Sequence, residues 1–368
     1  MTNPTVVAVG ETYRLFGDSV TTHDILPAYT YTVEFSDLTG YSLKRTEPLA
    51  AGEEKIYGNH GDRVRRIVRS YEAMDRSLGV ILSGDKGMGK SLMLRMVAEA
   101  MRNEHDLPTI IVRHNTPGIA SFIDEIGEAV IVFDEFEKVF TADHKGDEQS
   151  QFLSLFDGMS TAKRLYILSV NNLENLNDFM KNRPGRFHYH MRFTYPEADM
   201  IRTYVRDQAP DTSEKNIEDI VNFSRRFDLT FDHLRAIAFE LNLGEDFLDV
   251  VGDLNIKRSQ HHGSSSEVVV LLKDGRTVTF SGYFDLFDEQ RPVQLYDRIS
   301  GLEIQFRLLG AVESDEGLVL DPANVKVTLD EDDVLESIIG DGDGGTNVFQ
   351  VDSALVKRKH VNYDFRAL

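Results

Sequence analysis

Short apolar runs alternate with segments of helical spacing through the middle of the chain. Four of these runs have the length of buried strands: residues 79–83, 109–113, 129–133 and 165–170. A helical stripe precedes the first run and consists of Val64, Ile67, Val68, Tyr71 and Met74. Strands that alternate with helices are typical of a parallel sheet covered on both faces. The pattern therefore predicts an α/β domain built on a parallel sheet.

The regions on either side of this pattern differ from it. Residues 29–35 alternate between polar and apolar side chains, as a half-buried strand does, within an N-terminal β-containing segment at residues 1–48. Helical spacing returns after the last predicted strand, in residues 197–208, 213–226 and 230–243. We expect these helices to form a small helical lid.

The last third of the chain has the pattern of a β-rich domain. A serine- and glycine-rich stretch at residues 259–266 is typical of a linker. Beyond it, apolar segments flank an Asp274-Gly275 turn, as in a β-hairpin, and further strands are predicted at residues 302–308, 325–329 and 348–351. We therefore expect four parts, at residues 1–48, 49–195, 196–250 and 251–368.

Composition narrows the class of protein. The chain has 368 residues, a formal net charge of −21 and no cysteine. The charge disfavours a protein that coats nucleic acid by neutralising phosphates, and the lack of cysteine rules out disulfides and thiolate metal sites. We find no secretory signal and no run of about 18 apolar residues, so we expect a cytoplasmic protein without a membrane span.

A glycine-rich loop with the spacing G-x-x-x-x-G-K-S joins the first buried strand to the next helix. Its glycines allow backbone N–H groups to face phosphate oxygens, and the helix N-terminus adds positive potential. We expect Lys90 to reach the β- and γ-phosphates of ATP and the Ser91 hydroxyl to hold Mg²⁺. The predicted nucleotide contacts of this stretch are Gly84, Asp85, Lys86, Gly87, Met88, Gly89, Lys90, Ser91 and Leu92.

Two carboxylates follow the apolar run at residues 129–133. Asp134 is expected to hold Mg²⁺ through water, and Glu135 to be the base that polarises the attacking water. An apolar run before Asp-Glu is weak evidence alone. It gains weight because it follows the phosphate loop at a distance that suits neighbouring strands.

Two further groups would complete a site for ATP hydrolysis. Asn171 and Asn172 follow the strand at residues 165–170, where an amide can bridge the γ-phosphate and the attacking water. Arg183 and Arg186 flank a Pro-Gly turn that would present both guanidiniums to a neighbouring subunit. Arginine suits that role because it stays charged and binds phosphate bidentately. Without the other motifs, the same residues would indicate only a surface turn.

In this order, the motifs resemble those of the AAA branch of the AAA+ superfamily, over about residues 50–245. Tyr57-Gly58 resembles the segment of that branch that covers adenine, and the helix ending at Asp157-Gly158 is similar to the one before its sensor strand. The resemblance implies a homo-oligomeric ring, most often a hexamer, that depends on Mg²⁺ and ATP and does mechanical work.

The resemblance also assigns the polar residues after the phosphate loop. The paired arginine fingers of the branch fall at Arg183 and Arg186, and its first sensor at Asn171 or Asn172. The spacing between sensor and fingers fits Asn172 without a gap. Arg235, on the third lid helix, is a candidate for the second sensor, with a surface arginine as the alternative.

One segment departs from the branch. AAA proteases and unfoldases carry an aromatic-Val-Gly pore loop between the second and third strands, but residues 115–128 contain no such triplet. Ile119 and Phe122 could face a pore, although we expect them in the core. The short segment is more similar to the subfamily of the mitochondrial translocase of the Rieske protein, which has a membrane helix.

Other patterns favour structural roles. The acidic residues at 341–344 lack the spacing of an EF-hand, and His188 and His190 lack further metal ligands nearby. A solvated helix face or a subunit contact, rather than nucleic-acid binding, is expected for the stripe of Arg63, Arg65, Arg66 and Arg69.

The leading hypothesis is an ATP-driven ring motor that remodels or translocates a macromolecular substrate, in the first place a protein. The second is an ATP-gated assembly factor or scaffold with slow turnover, which the short inter-strand segment and the large β-rich domain favour. The third is a DNA-remodelling or DNA-loading ATPase, which the net charge of −21 disfavours.

Overall fold

The computed structural model describes residues 5–9, 11–17, 20–52, 55–143, 146–157, 162–181, 185–256, 264–314, 316–329 and 348–358. The chain divides into two compact units, residues 1–193 and 194–368. Within the described ranges, no helix combines the length and the apolar character needed to cross a bilayer.

The first unit alternates strands and helices. Its strands are β1 (Thr5–Val9), β2 (Thr12–Phe16), β3 (Thr30–Ser36), β4 (Gly40–Thr46), β5 (Leu78–Ser83), β6 (Thr109–Val112), β7 (Ala129–Phe133), β8 (Ala142–Asp143), β9 (Gly146–Asp147), β10 (Arg164–Val170) and β11 (Tyr189–Arg192). Its helices are α1 (His60–Ala73), α2 (Lys90–His105), α3 (Ile119–Glu125), α4 (Phe136–Val139), α5 (Leu153–Phe156) and α6 (Asp178–Lys181). Short 3₁₀ turns lie at Glu148–Phe152 and Leu173–Asn175.

A mainly parallel sheet organises this unit, as the sequence predicts. Among the described residues its strand order is β11-β5-β10-β7-β6-β3-β4. All neighbouring pairs are parallel except β3 and β4. The residues of β5, β6, β7 and β10 are buried throughout, which explains their continuous apolar runs.

The N-terminal hairpin formed by β3 and β4 belongs to this sheet. β3 pairs in parallel with β6, from Thr30 opposite Thr109 to Thr32 opposite Ile111. The domain boundaries inferred from the sequence stay predictions, but these hydrogen bonds tie residues 30–46 to the strands after residue 48. The sequence did not reveal this pairing of β3 with β6, because the alternating pattern of a strand does not show which strand it pairs with.

Aromatic side chains fill the core beneath the carboxyl end of β7. The ring of Phe133 has its centroid 5.3 to 6.1 Å from those of Phe136, Phe140, Phe152 and Phe156. All of these rings are buried, and most of the pairs meet edge to face, an arrangement that aromatic quadrupoles favour. The cluster therefore fixes the end of β7 from which Asp134 and Glu135 continue.

The segment between β6 and β7 is packed into the molecule. Ile119 of α3 is fully buried, and the ring of Phe122 stacks on Tyr41 of β4 with centroids 4.6 Å apart. The Tyr41 hydroxyl is also 3.1 Å from the carbonyl oxygen of Thr116 and 2.9 Å from that of Pro117. The expected core role of Ile119 and Phe122 is confirmed.

The second unit begins with helices and continues with strands. The helices are α7 (Ala198–Gln208), α8 (Glu214–Arg226), α9 (Phe231–Asn242) and α10 (Phe247–Val250). The strands are β12 (Ser264–Leu272), β13 (Thr277–Phe284), β14 (Val293–Asp297), β15 (Leu302–Phe306), β16 (Val312–Ser314), β17 (Gly317–Leu320), β18 (Val325–Leu329), β19 (Val348–Phe349) and β20 (Val351–Arg358), with a 3₁₀ turn at Pro322–Asn324. The three predicted lid helices correspond to α7, α8 and α9.

The strands form two sheets with a common core. Their orders are β13-β12-β20-β17-β16 and β14-β15-β18-β19, and alternate side chains of both sheets are buried together, as in a β-sandwich. Residues 264–266, predicted as the end of a linker, instead begin β12 because they pair with β13 and β20. Residues 257–263 and the acidic residues at 341–344 lie outside the described residues.

The lid helices and the sandwich are held together by ion pairs and aromatic contacts. Arg358, at the end of β20, is buried and pairs with Asp228, which follows α8. Arg226 pairs with Glu289 at 3.1 Å and Glu313 at 3.2 Å. The ring of Phe223 also lies 5.5 Å from that of Phe287. These contacts make the helices and the sandwich one packed unit.

Phe152→Ala should lower the free energy of unfolding of the first unit by about 3–5 kcal/mol, because it opens a cavity in the aromatic core. Urea-induced unfolding followed by circular dichroism measures this. The matched control is Phe179→Ala, at a side chain that is 58% exposed, where we expect a change within about 0.5 kcal/mol. Equal losses for the two variants would contradict the packing described.

Candidate active site

The loop between β5 and α2 has the backbone of a phosphate cradle. Gly84, Gly87 and Gly89 have φ angles of 144°, 75° and 89°, which side chains other than glycine rarely adopt. A Cβ on Gly84 would also lie 2.5 Å from the carbonyl oxygen of Phe193. Helix α2 then begins at Lys90, so its free N–H groups face the loop. Conformation therefore favours glycine at all three positions, and space also requires it at Gly84.

The segment predicted to cover adenine lies against this loop. Gly58 has a φ of 80°, and the carbonyl oxygen of Tyr57 lies 2.8 Å from Nδ1 of His60, the first residue of α1. Nε2 of the same imidazole would be 3.1 Å from a Cβ placed on Gly89. Burial lowers the pKa of His60, which favours the neutral ring. The sequence reasoning did not identify His60 as part of this site.

Lys90 is enclosed and makes three hydrogen bonds. Its Nζ donates to the carbonyl oxygens of Gly84 at 2.5 Å and Asp85 at 2.8 Å, and to Oδ1 of Asn171 at 2.9 Å. Burial lowers the pKa of the ammonium, although nearby carboxylates, with Asp85 first, oppose that shift. A charged lysine thus lies at the mouth of the loop with weak backbone acceptors that a phosphate could replace.

The other residues of the loop differ in exposure. Met88 is buried and Leu92 partly buried, while Ser91 is exposed in the first turn of α2. Lys86 is largely exposed, and its Nζ lies 3.7 Å from Oε1 of Glu135. The loop therefore presents the Ser91 hydroxyl and Lys86 on its open side, while Lys90 is enclosed.

Asp134 and Glu135 leave the carboxyl end of β7 in different directions. Ser169 of β10 donates its hydroxyl proton to Oδ1 of Asp134 at 2.5 Å and accepts the backbone N–H of Glu135 at 2.9 Å. Glu135 has a φ of 50°, a left-handed conformation that is uncommon for this residue type. Such a backbone persists only where neighbouring groups hold it, and the hydrogen bond from its N–H supplies that support.

The carboxylate of Glu135 is held by cations and an amide. Its Oε1 accepts from Nζ of Lys138 at 2.5 Å and from Nδ2 of Asn171 at 3.2 Å. The bond from Lys138 is the main reason that the pKa of Glu135 is lowered. The carboxylate is therefore ionised, as a base must be, but its Oε1 is occupied by Lys138 and Asn171.

The two asparagines after β10 have different surroundings. Asn171 contacts Lys90 through its Oδ1 and Glu135 through its Nδ2. The side chain of Asn172 instead accepts the backbone N–H of Glu174 at 2.9 Å and caps the 3₁₀ turn that follows. The geometry thus brings Asn171 into the site, although the spacing of the related family fits Asn172.

Glu137 is a further member of the site that the sequence reasoning missed. It is 8% exposed, and its Oε1 accepts the backbone N–H of Asn171 at 2.9 Å and Nδ2 of the same residue at 3.1 Å. The available signal was a charged residue on the short helix directly after Glu135. A charged residue at that position is as compatible with an exposed side chain as with a buried one, so the sequence alone did not identify Glu137.

The candidate finger residues are placed as follows. Arg183 lies outside the described residues. Arg186 is buried and makes a bidentate pair with Asp157, with bonds of 2.5 and 2.7 Å, and a third bond to the carbonyl oxygen of Phe179. The pair with Asp157 raises the pKa of Arg186. Arg235 lies on α9, in the second unit.

The strand pair β5–β11 places a histidine next to the phosphate loop. Nε2 of His190 lies 2.7 Å from the hydroxyl of Ser83, the residue before Gly84. Burial lowers the pKa of His190 to about 4, so the ring is neutral at physiological pH. His190 therefore supports the end of β5 as a hydrogen-bonding residue.

Comparison with known proteins identifies the domain that carries this site. Residues 80–195 match the family model described as ATPase family associated with various cellular activities (AAA). The chain is 30% identical over 138 residues to the ATPase family gene 2 protein of Saccharomyces cerevisiae, a match that covers 33% of this chain and 18% of that protein.

Other relatives share the same region. The chain is 26% identical over 160 residues to the ATPase histone chaperone abo1 of Schizosaccharomyces pombe, covering 37% of this chain and 13% of that protein. It is 24% identical over 164 residues to an AAA ATPase forming ring-shaped complexes from Corynebacterium glutamicum, covering 36% and 31%. A chain in the solved structure of the E. coli MS115-1 HORMA:CdnC:Trip13 complex aligns with a TM-score of 0.43 and 13% identity, over 55% of this chain and 90% of that chain.

The matched region spans less than a third of each of these three curated relatives. The region that matches the family model, residues 80–195, includes most of β5, all of β7 and β10, and the loops that follow these strands. Residues 80–195 therefore match an AAA ATPase domain, and these similarities support membership of the AAA+ superfamily for that domain.

Proposed function

We propose that this protein is a Mg²⁺-dependent ATP hydrolase that assembles into a ring, a hexamer in the simplest form, and remodels a protein substrate. The observation that carries the proposal is one hydrogen-bonded network. It joins Lys90 of the phosphate loop to Asn171 and then to Glu135. These are the three chemical groups that bind the phosphates, sense them and activate water.

ATP would bind at the glycine loop. Phosphate oxygens are stronger acceptors for an ammonium than the backbone carbonyls of Gly84 and Asp85 that Lys90 now contacts. The loop backbone and the start of α2 add N–H donors. Tyr57 and Gly58 would lie beside the adenine, and the neutral ring of His60 would support the loop from the same side.

Ser91 and Asp134 are the residues that would hold Mg²⁺. Both offer exposed oxygen ligands, which suit a hard cation that keeps several of its waters. Bound Mg²⁺ supplies charge neutralisation on the phosphate oxygens during hydrolysis. The hydrogen bond from Ser169 keeps the carboxylate of Asp134 directed along the sheet edge.

Glu135 would accept a proton from the attacking water. For this step its Oε1 must exchange the bonds from Lys138 and Asn171 for one from the water. Asn171 would then hold the γ-phosphate and the water together.

We assign the role of finger in trans to Arg183. Arg186 already uses its guanidinium within its own chain, on Asp157 and on the backbone of Phe179. That bidentate pair would give Arg186 a role within its own chain rather than at a neighbouring site. The ring-forming relative from Corynebacterium glutamicum supports an assembly in which Arg183 would reach the site of a neighbouring subunit.

A protein substrate is favoured over nucleic acid. The net charge of −21 opposes binding to a phosphate backbone. One relative is described as a histone chaperone. The lid helices, packed against the β-sandwich, would transmit nucleotide-dependent motion to that domain. The alternative of an ATP-gated assembly factor with slow turnover is supported by the anchored segment around Thr116, which Tyr41 holds.

Lys90→Ala should abolish ATP binding. Among the described residues, Lys90 is the only cation that the loop encloses where the phosphates are expected to bind. Glu135→Gln should keep ATP binding and lower turnover by about 100-fold or more, the usual contribution of a general base. Calorimetric titration with a non-hydrolysable ATP analogue and a phosphate-release assay measure the two effects. Glu174→Gln, at an exposed carboxylate near Asn171, is the matched control, and wild-type turnover in the Glu135 variant would refute the assignment of the base.

Lys138→Met should move the acidic limb of the kcat/KM profile to higher pH. Lys138 is the main cause of the lowered pKa of Glu135, so its removal raises that pKa and protonates the base at a higher pH. Turnover measured against pH at subsaturating ATP tests this. Lys181→Met, which removes a lysine paired with Asp178 instead, should leave the limb unchanged; an unmoved limb in the Lys138 variant would show that another group controls it.

Arg183→Ala should keep ATP binding but lose turnover by about 10³-fold, the scale of an arginine finger. Mixing it with Glu135→Gln subunits should restore part of the activity, because some interfaces then combine the intact base of the Arg183 variant with the intact finger of the Glu135 variant. Arg186→Ala should lose turnover and also melt at a lower temperature, since it leaves Asp157 without its partner.

The control for the arginine series is Arg276→Ala, in an exposed turn of the β-sandwich. It should bind and hydrolyse ATP as the wild type does. Phosphate release and thermal melting of single and mixed preparations provide the measurements. Absence of rescue in every mixture would exclude a site shared between subunits.

A further inference from the structure

We propose that Glu137 is a positioning residue that selects Asn171 as the sensor and fixes the orientation of its amide. The inference rests on the proposed function, because it concerns the same site for ATP hydrolysis. It adds a residue that neither the sequence motifs nor the chemistry of Lys90 and Glu135 requires.

Glu137 holds both the backbone and the side chain of Asn171. One oxygen, Oε1, accepts from the backbone N–H at 2.9 Å and from Nδ2 at 3.1 Å. Because β10 ends at Val170, this carboxylate binds the first residue beyond the strand. Two bonds to one residue restrict both its backbone position and its side-chain torsions.

The charges around Asn171 permit only one orientation of the amide. Lys90 offers only donors, and it contacts Oδ1 at 2.9 Å. Glu135 and Glu137, as carboxylates, offer only acceptors, and both contact Nδ2. A flipped amide would place N–H groups against the ammonium and oxygen against two carboxylates. The amide is therefore fixed as a bridge from the phosphate-binding lysine to the base.

Glu137 is distinguished from Glu135 by its environment. Glu135 is partly exposed and lies near two lysines, whereas Glu137 is 8% exposed and has no hydrogen bond from a lysine among the described residues. Its Oε2 is buried without a hydrogen-bond partner in the part of the chain that the structure describes. A buried carboxylate with one unsatisfied oxygen is costly to stability. Holding Asn171 accounts for its presence.

The same contacts explain why Asn172 has a different role. Glu137 accepts the backbone N–H of Asn171, the first residue after β10. The side chain of the next residue, Asn172, then accepts the backbone N–H of Glu174 and caps the 3₁₀ turn. The adjacent asparagine is thereby excluded from the network of Lys90 and Glu135. Glu137 therefore determines which of the two amides enters the site.

The test compares Glu137→Gln with wild type and places the same change in the Asn171→Ala background. Glu137→Gln has nearly the same shape and replaces a charge-assisted bond by a neutral one. We expect kcat to fall about 10-fold while the dissociation constant of the ATP analogue stays within about two-fold, because the amide loses its fixed orientation but Lys90 remains. In Asn171→Ala, the second change should lower kcat by less than about two-fold, because the group through which it acts is missing.

A charge exchange gives an independent readout. Asn171→Asp should lower kcat strongly, since it places a carboxylate against Glu135 and Glu137. Adding Glu137→Gln removes one of these repulsions and supplies an N–H donor, so it should recover turnover by about 10-fold relative to Asn171→Asp alone. A residue that only stabilises the fold would make the double variant worse. Thermal melting of each variant, with Glu174→Gln as control, verifies that all are folded.

Equal losses of kcat in the two backgrounds, or a weaker affinity for the analogue with unchanged kcat, would overturn the proposal. The second result would mean that Glu137 acts on Lys90 instead. Failure of the proposed function is distinguishable, because it would appear as absence of turnover in the wild type. Failure of this inference would appear only in the Glu137 and Asn171 variants of an active enzyme.

Discussion

The position of β10 between β5 and β7 is the constraint on which the rest of the site depends. Val170 pairs with Ser83 on one side, and Leu168 pairs with Phe133 on the other. Parallel strands end at the same edge of a sheet, so the residues after β10 lie between the phosphate loop and the acidic pair. Two hydrogen bonds, from Lys90 to Asn171 and from Asn171 to Glu135, depend on this strand order. The buried sheet and the aromatic cluster around Phe133 maintain that order.

Much of this site could be predicted because its signals are local. The strand, the glycine loop and the first turn of α2 are consecutive in the chain, and each has its own spacing or conformational requirement. Asp134 and Glu135 follow a run of apolar residues that only a buried strand explains. The helices of the lid were also found within one or two residues of their ends, because amphipathic spacing extends over several turns.

The remaining contacts depend on which strand or helix lies beside another. Asn171 and Asn172 are adjacent and identical, and the spacing of the related family fits Asn172. The sequence therefore does not reveal that Asn171 contacts Lys90 while Asn172 caps the next turn. The pair between Arg186 and Asp157 joins segments whose proximity follows from packing. The pairing of β3 with β6 is likewise non-local. Such information appears only when the elements are assembled.

The ion pair of Arg358 and Asp228 has a consequence for the architecture of the second unit. It links the end of the final described strand to the residues just after α8, while Phe223 of that helix packs on Phe287 of the sandwich. Cutting the chain between the helices and the sandwich would expose an aromatic ring and an unpaired carboxylate. The β-sandwich is therefore not an interchangeable module. A different domain could replace it only if that domain supplied a cation to pair with Asp228 and an aromatic side chain to pack on Phe223.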